Sequence, residues 1–336
     1  MQRKNKVFII AEAGVNHNNN IYFAKKLIKT AKKCGADAIK FQVFKTENYI
    51  IKKAPLAGYQ KKNTNFSDQF KLIKRLELSE IKLKQIMNFA KKNKIKFLAS
   101  AFDNWGIDFL DKNKIQIYKI PSGEITNYPY LKIIAKKNKE VILSTGMSNM
   151  HDVSSALKIL MKFGLPKKKI TLLQCNTDYP TPLEDVNLNV LKTYKKKFNT
   201  KIGLSDHTNS VVIPSAAVAL GAEVVEKHLT LNKKLSGPDH KASLNPSEFT
   251  QMVKNIRETE KSLGISIKKV TKSEKKNILI ARKSIVAKIN IKKGQKFKEY
   301  MLACKRPAAG LSPIFWNNVL KKKARKNYKA DEMIKL

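Results

Sequence analysis

Short apolar runs recur along the chain, each followed by a polar or glycine-containing turn and then by apolar positions at helical spacing. The runs at 7–11, 37–41, 96–100, 115–120, 140–144, 170–174, 201–204 and 223–227 are predicted strands. Helices are predicted at 21–34, 79–93, 104–112, 128–137, 151–163, 187–197, 211–220 and 246–262. The last opens with Asn245-Pro246-Ser247-Glu248, a capped start with proline in the first turn. Eight strands alternating with eight helices predict an α/β fold, a (β/α)8 TIM barrel. A doubly wound open sheet is the alternative, but the count of eight and the lack of a Gly-x-Gly-x-x-Gly turn after the first strand speak against it.

The pattern changes near residue 263. The Lys- and Ser-rich stretch 266–276 reads as a linker between a catalytic domain at 1–265 and a small β-rich domain at 277–336. That tail holds Ser284-Ile285-Val286-Ala287 and turns at Lys293-Gly294 and Ala309-Gly310. About sixty residues is near the lower limit for independent stability, so docking onto a partner surface is expected. The segment 45–78, after the second strand, reads as a long irregular insertion on the catalytic face.

Composition adds limits. The chain of 336 residues carries a formal net charge of +42. Its lysines are scattered on polar helix faces without a basic tail, so nucleic acid is not the expected partner, and the positive field favours an anionic substrate. No apolar run is long enough for a membrane span. Met1-Gln2-Arg3-Lys4-Asn5-Lys6 leads into a strand and not into a signal-peptide apolar region. Cys34, Cys175 and Cys304 form neither a metal spacing nor an even disulfide set, and the expected location is the cytoplasm. Cys175 reads as a buried, inert thiol in preference to a nucleophile.

The chemistry gathers at the carboxyl ends of the predicted strands, which converge on one face of a barrel. His207, in Gly203-Leu204-Ser205-Asp206-His207-Thr208, and His228, in Val224-Val225-Glu226-Lys227-His228, follow the seventh and eighth strands. As a pair they can share a divalent metal, while structural histidines are the plainer alternative. Lys40 and Lys119 sit in apolar strands beside Ser and Thr hydroxyls and suit a phosphate or carboxylate; Schiff-base catalysis is the rival use. Glu12, Glu124, Glu226 and Asp239 lie near the same rim, unranked, with plain salt bridges an equal alternative. His17 and His240 are further histidines near the rim, and His151 decorates the fifth helix.

Several ordered motifs then resemble the sialic acid synthase family. They include Ala11-Glu12-Ala13-Gly14-Val15-Asn16-His17, Lys40-Phe41-Gln42, Tyr118-Lys119-Ile120-Pro121-Ser122-Gly123-Glu124 and Leu143-Ser144-Thr145-Gly146-Met147. Tyr179-Pro180-Thr181-Pro182, Gly203-Leu204-Ser205-Asp206-His207-Thr208 and Ser236-Gly237-Pro238-Asp239-His240 continue the series. Lys292-Lys293-Gly294 and Lys305-Arg306-Pro307 look like its C-terminal antifreeze-like (SAF, β-clip) domain. The resemblance implies condensation of phosphoenolpyruvate with an open-chain N-acyl mannosamine-type sugar, giving N-acetylneuraminate or N,N'-diacetyllegionaminate plus phosphate. Pseudaminate synthesis, and a lysine Schiff-base sialic acid aldolase, are the alternatives.

It further implies a domain-swapped homodimer and a divalent metal, manganese first with magnesium or cobalt as substitutes, held by His207 and His228. Lys40, Ser100, Lys119, Ser122, Asn176 or Thr177, and Ser205 would hold phosphoenolpyruvate. Glu12, Gln42, Glu124, Tyr179 and Asp239 would contact the sugar or its proton transfers, and Arg306 would reach the partner subunit's sugar. Two departures stand out. Leu98-Ala99-Ser100-Ala101-Phe102 replaces the family's common Ser-Thr-Pro-Phe, and Gln174-Cys175 replaces His-Cys.

Overall fold

The structure, a computed structural model, describes residues 6–336. The reading of residues 1–5 as no part of a signal peptide lies outside them. Two compact units are present, one ending at Gly264 and the other spanning Ile265–Leu336.

The first unit is the expected barrel. Its strands are β1 (Phe8–Gly14), β2 (Ala38–Val43), β3 (Lys96–Ala101), β4 (Ile117–Ile120), β5 (Glu140–Ser144), β6 (Ile170–Cys175), β7 (Lys201–Asp206) and β8 (Val224–His228). Each pairs with the next, and β8 closes on β1. Helices Ile21–Lys33, Glu80–Lys92, Asn104–Lys112, Tyr128–Lys136, Met150–Lys162, Val190–Phe198, Ile213–Ala219 and Pro246–Ser262 follow the strands in turn. They start where the sequence supplies caps. Asn20, Ser79 and Asp103 accept first-turn backbone N–H groups, and Asn149–Asp152 and Asn245–Glu248 cap reciprocally.

Alternation along the strands divides the barrel wall into two faces. Outward residues such as Ile9, Ile39, Tyr118, Ile202 and Val225 pack against the helices in the main core. Inward, Ile10, Ala38, Leu98, Ile142, Leu173 and Val224 form a separate apolar floor. Each large aliphatic buried there contributes about 1.5–3 kcal/mol. On β7 the corresponding position is Gly203, where a Cβ would lie 2.3 Å from the Val224 carbonyl oxygen and 2.6 Å from the Leu173 side chain. Two residues further along the strands the inward positions are Glu12, Lys40, Ser100, Lys119, Ser144, Cys175, Ser205 and Glu226, one from each strand and all buried. The barrel is therefore apolar at its floor and polar one layer up.

The insertion at 45–78 is not irregular, as the sequence suggested. It folds into short helices Thr46–Tyr49, Gly58–Asn63 and Gln69–Leu76. These cover two small apolar clusters, one with Leu56, Leu72 and Leu76, the other with Phe44, Ile50 and Ile73. Glu77 ties the ends together, accepting hydrogen bonds from Lys45 Nζ (3.0 Å), the Thr46 backbone (3.1 Å), Thr46 Oγ1 (3.0 Å) and Lys74 Nζ (3.0 Å). Burial opposes its charge, but these donors hold its carboxyl down at about 2.

The second unit has its own core of Ile285, Ile291, Phe297, Leu302, Val319 and Tyr328. Strand β9 (Ser284–Ala287) pairs antiparallel with β10 (Leu302–Lys305). A short helix, Lys275–Ala281, takes in the last two residues of the predicted linker, a stretch with no helix breaker.

Candidate active site

The polar layer is an ion cluster at the carboxyl ends of the strands. Lys40 Nζ lies 2.8 Å from Glu12 Oε2 and 3.7 Å from Glu226 Oε1, and donates to Ser100 Oγ at 3.2 Å. Lys119 Nζ donates to Ser144 Oγ at 2.7 Å and lies 3.5 Å from Glu226 Oε1. Ser205 Oγ donates to the same Glu226 oxygen at 3.0 Å. Both lysines thus have internal carboxylate partners, the salt-bridge alternative that the sequence left open for Glu12 and Glu226.

Burial decides the proton positions. It raises Glu12 from 4.5 to about 7, with Lys40 pulling the other way. Glu226 feels the same burial but lies between both lysines, which hold it below the usual carboxylate range. Burial also lowers Lys119, whereas for Lys40 it is outweighed by Glu12 and Glu226, and its ammonium is held above the ordinary lysine range.

Above this layer stand the two histidines. His228 ends β8 and His207 immediately follows β7; their ring centroids are 5.3 Å apart at 68°. His207 Nδ1 donates to the Asn176 carbonyl, so in the neutral ring Nε2 keeps its lone pair, 3.3 Å from the Tyr179 hydroxyl and 3.5 Å from Ser205 Oγ. Burial favours that neutral ring, but Cys175 and the Asn176 carbonyl outweigh it and hold the imidazole above its usual range. The Tyr179 ring stacks on His207 at 4.2 Å. Burial holds His228 well below the usual imidazole range, so it is neutral, and its buried Nδ1 has no hydrogen-bond partner.

Gly14, with φ of 49°, opens the space beside it. A Cβ there would meet Glu12 Oε1 at 3.2 Å, His228 Cε1 at 3.4 Å and Asp239 Oδ2 at 3.5 Å. Burial raises Asp239 to about 6, and its Oδ2 lies 3.9 Å from His228 Nδ1. Among the described residues no three His, Cys, Asp or Glu side chains gather tightly enough to hold a metal unaided. Two neutral-capable imidazoles, an unpartnered nitrogen and a glycine-cleared space fit a cation whose shell is completed from outside the protein.

One cavity of about 400 Å³ brings together Glu12, Lys40, Gln42, Ser100, Lys119, Ser122, Thr177, Tyr179, Ser205, His207 and His228. Other expected site residues lie apart from it. The Asn176 side chain turns into its own loop, accepting from the Asp178 backbone at 2.7 Å, so of the two alternatives Thr177 faces the cavity. Glu124 accepts from Asn127 Nδ2 at 2.6 Å, and Asp239 stands behind His228. Arg306 is exposed on the second unit, its Nε donating to the Ala281 carbonyl at 3.0 Å. His17 and His240 serve the loops: His17 Nδ1 accepts from the Asn19 backbone at 2.9 Å, and His240 Nδ1 pairs with Thr230 Oγ1 at 2.7 Å. His151 is exposed in the first turn of its helix.

Sequence reading undervalued three groups. Glu226 is the hub of the ion cluster, and period-two alternation from His228 would have placed it inward. Cys175, expected as a plain core thiol, is buried yet lines the cavity, 3.9 Å from His207 Nδ1. Tyr59 of the insertion packs on Tyr179 at 4.9 Å, a contact with no local signal. Asp206, next to His207 in the same strand-end motif, points outward and pairs with Lys227. A cavity of about 600 Å³ opens at the other end of the barrel, among Phe8, Lys96, Ile117 and Lys201, away from the polar layer.

Comparison with known proteins bears on the family and the fold. Residues 27–268 match the NeuB family and 282–336 match the SAF domain. The chain is 51% identical to N,N'-diacetyllegionaminic acid synthase of Campylobacter jejuni over 98% of its own length and 99% of that protein. It is 39% identical to the synthase of the same name from Legionella pneumophila, over 96% of this chain and 92% of that one. Among solved structures, the N-acetylneuraminic acid (sialic acid) synthetase of Leptospira borgpetersenii in complex with citrate superposes with a TM-score of 0.72 at 32% identity, covering 82% of this chain and 90% of that one. With its family match spanning most of the barrel and a relative this similar along nearly its entire length, the chain is an enzyme that belongs to the NeuB family.

Proposed function

We propose that the enzyme condenses phosphoenolpyruvate with open-chain 2,4-diacetamido-2,4,6-trideoxymannose to give N,N'-diacetyllegionaminate and phosphate. The observation that carries the chemistry is the layer of Lys40, Lys119 and serine hydroxyls directly beneath two converging imidazoles. The choice of sugar leans on the likeness to the two legionaminic acid synthases.

Lys40 and Lys119, with Ser100, Ser122, Thr177 and Ser205, bind the phosphate and carboxylate of phosphoenolpyruvate through charge-assisted hydrogen bonds. His207 and His228 hold a divalent cation, manganese first, which when bound supplies Lewis-acid polarisation of the sugar aldehyde. Held in this order, C3 of phosphoenolpyruvate faces the aldehyde carbon. Glu12, poised near neutrality by burial, gives a proton to the oxygen that becomes the new hydroxyl. Water adds at C2, and Lys40 and Lys119 stabilise the departing phosphate as the C–O bond breaks. Gln42 and Tyr179 of the cavity lining are the sugar-side groups of this reading, and Glu124 and Asp239, outside that lining, would have to turn toward the sugar to join them.

The reading includes a domain-swapped homodimer in which Arg306 of one protomer binds the N-acyl group in its partner's barrel, and a cytoplasmic location. No helix among the described residues is long and apolar enough to cross a membrane.

The test is phosphate release from phosphoenolpyruvate with manganese and a panel of N-acyl amino sugars. Fastest turnover is expected with the diacetamido-trideoxy sugar, and no release with any of them would refute the proposal. Chelation should abolish turnover and manganese restore it. Bound manganese, read by electron paramagnetic resonance, should be lost in His207→Ala and His228→Ala. Full turnover by metal-free enzyme would remove the metal from the reading. An Arg306→Ala variant with normal sugar affinity would remove the swapped arginine.

A further inference from the structure

The cavity has two chemically different sides. One is the polar layer with the two imidazoles on β7 and β8. The other is a mainly apolar wall formed by Ile50 and Ile73 of the insertion and Phe102, which directly follows β3, with Tyr49, Tyr59 and Gln69 of the insertion in the same lining. Ile50 and Ile73 are each 9% exposed and pack together with Phe44 and Phe102 in one cluster. Tyr49, which also lines the cavity, stiffens the wall, its ring 5.4 Å from both Phe44 and Phe102. In an eight-stranded closed barrel β3 stands opposite β7, so the wall faces the imidazoles across the mouth.

Resting on the reading in which the cavity takes an N-acyl sugar, we infer that this wall selects the far end of the sugar, accepting a C6 methyl and rejecting a C6 hydroxyl. A sugar whose aldehyde carbon lies at His207 and His228 extends away from those strands, and the surface it meets is the wall. A hydroxyl pressed against Ile50, Ile73 and Phe102 leaves water without gaining a partner from those three side chains. A methyl group gains contact area there instead. The insertion, which the barrel itself does not need, thus acts as the specificity element, with Ile50 and Ile73 as its determining residues.

The decisive measurement compares N-acetylmannosamine with its 6-deoxy counterpart, two sugars that differ only at C6. The wild-type enzyme should favour the deoxy sugar in kcat/KM by about tenfold or more. Ile73→Asn and, as a milder change, Ile50→Thr should each cut that preference at least several-fold while leaving the KM for phosphoenolpyruvate unchanged. Wild-type enzyme that turns over both sugars without preference overturns the wall proposal alone. So do variants with unchanged phosphoenolpyruvate KM and unchanged preference. Wild-type enzyme idle on these two sugars and on the diacetamido-trideoxy sugar overturns the underlying reading, and the wall falls with it.

Discussion

Glu226 and Lys227 are neighbours in β8, but their side chains belong to two different buried ion clusters on opposite faces of the barrel wall. Outside, Lys227 is fully buried, pairs with Asp206 at 2.6 Å, and also donates to the Thr208 carbonyl and, at 3.2 Å, to Thr208 Oγ1. Its three donors are spoken for, and the pair lies on the outer face of the wall, away from the polar layer. Inside, Glu226 is shared between Lys40 at 3.7 Å and Lys119 at 3.5 Å, contacts longer than the outer pair, and its second oxygen has no hydrogen-bond partner. Equal burial therefore means different things. A lysine with every donor matched holds strands together, while Lys40 and Lys119, which line a cavity and share Glu226 at these longer distances, can trade that contact for a ligand.

Substitutions on the two faces should separate these roles. The largest effect is expected inside: Lys119→Met or Lys40→Met should lower kcat/KM for phosphoenolpyruvate by about 10³-fold or more, with circular dichroism unchanged. Wild-type-like turnover in either variant would mean that the inner cluster is structural too. Outside, Lys227→Met strands Asp206 as an uncompensated buried charge and should cost about 3 kcal/mol of stability, seen as a lower thermal midpoint. The folded fraction should keep normal kinetics; a selective loss of kcat would erase the contrast between the faces.

Glu77, a closed cluster away from the cavity, offers the gentlest check. Its carboxyl is held at about 2 against an ordinary 4.5, so its stabilising contribution is present above about pH 4.5 and is lost as pH falls toward 2. Glu77→Gln should therefore be less stable than wild type by about 1–2 kcal/mol at neutral pH, and the gap should close on acidification. A gap that stayed constant down to pH 2.5 would show that the carboxylate's charge is not what binds the insertion.

The barrel was legible because most strands are apolar runs closed by a polar or charged residue, and Asn20, Asp103 and Asn245 mark helix starts with local chemistry. Lys40, Lys119, His207 and His228 could be found for the same reason: a polar residue closing an apolar strand stands out. The ranking of the carboxylates could not be found, because Glu12, Glu124 and Glu226 differ only in what surrounds them. Glu226 meets two ammonium groups and Glu124 meets Asn127. The insertion stayed hidden because helices of four to eight residues are too short for periodicity to register. Its contacts, such as Tyr59 on Tyr179, join segments far apart in the chain.

The resting inner cluster is self-neutralised, two ammonium groups against two carboxyls, in a protein whose formal charge is +42. Anion binding there is an exchange and not a filling of vacant charge: whatever enters must displace Glu12 or Glu226 from a lysine or be accompanied by proton uptake at Glu12, whose carboxyl burial raises to about 7. A lone monovalent anion gains little from such a swap. A molecule carrying phosphate and carboxylate a few bonds apart engages both lysines at once and pays the displacement only once. The two glutamates thereby act as a built-in competitor, a filter that lets a strongly basic protein ignore most of the anions around it.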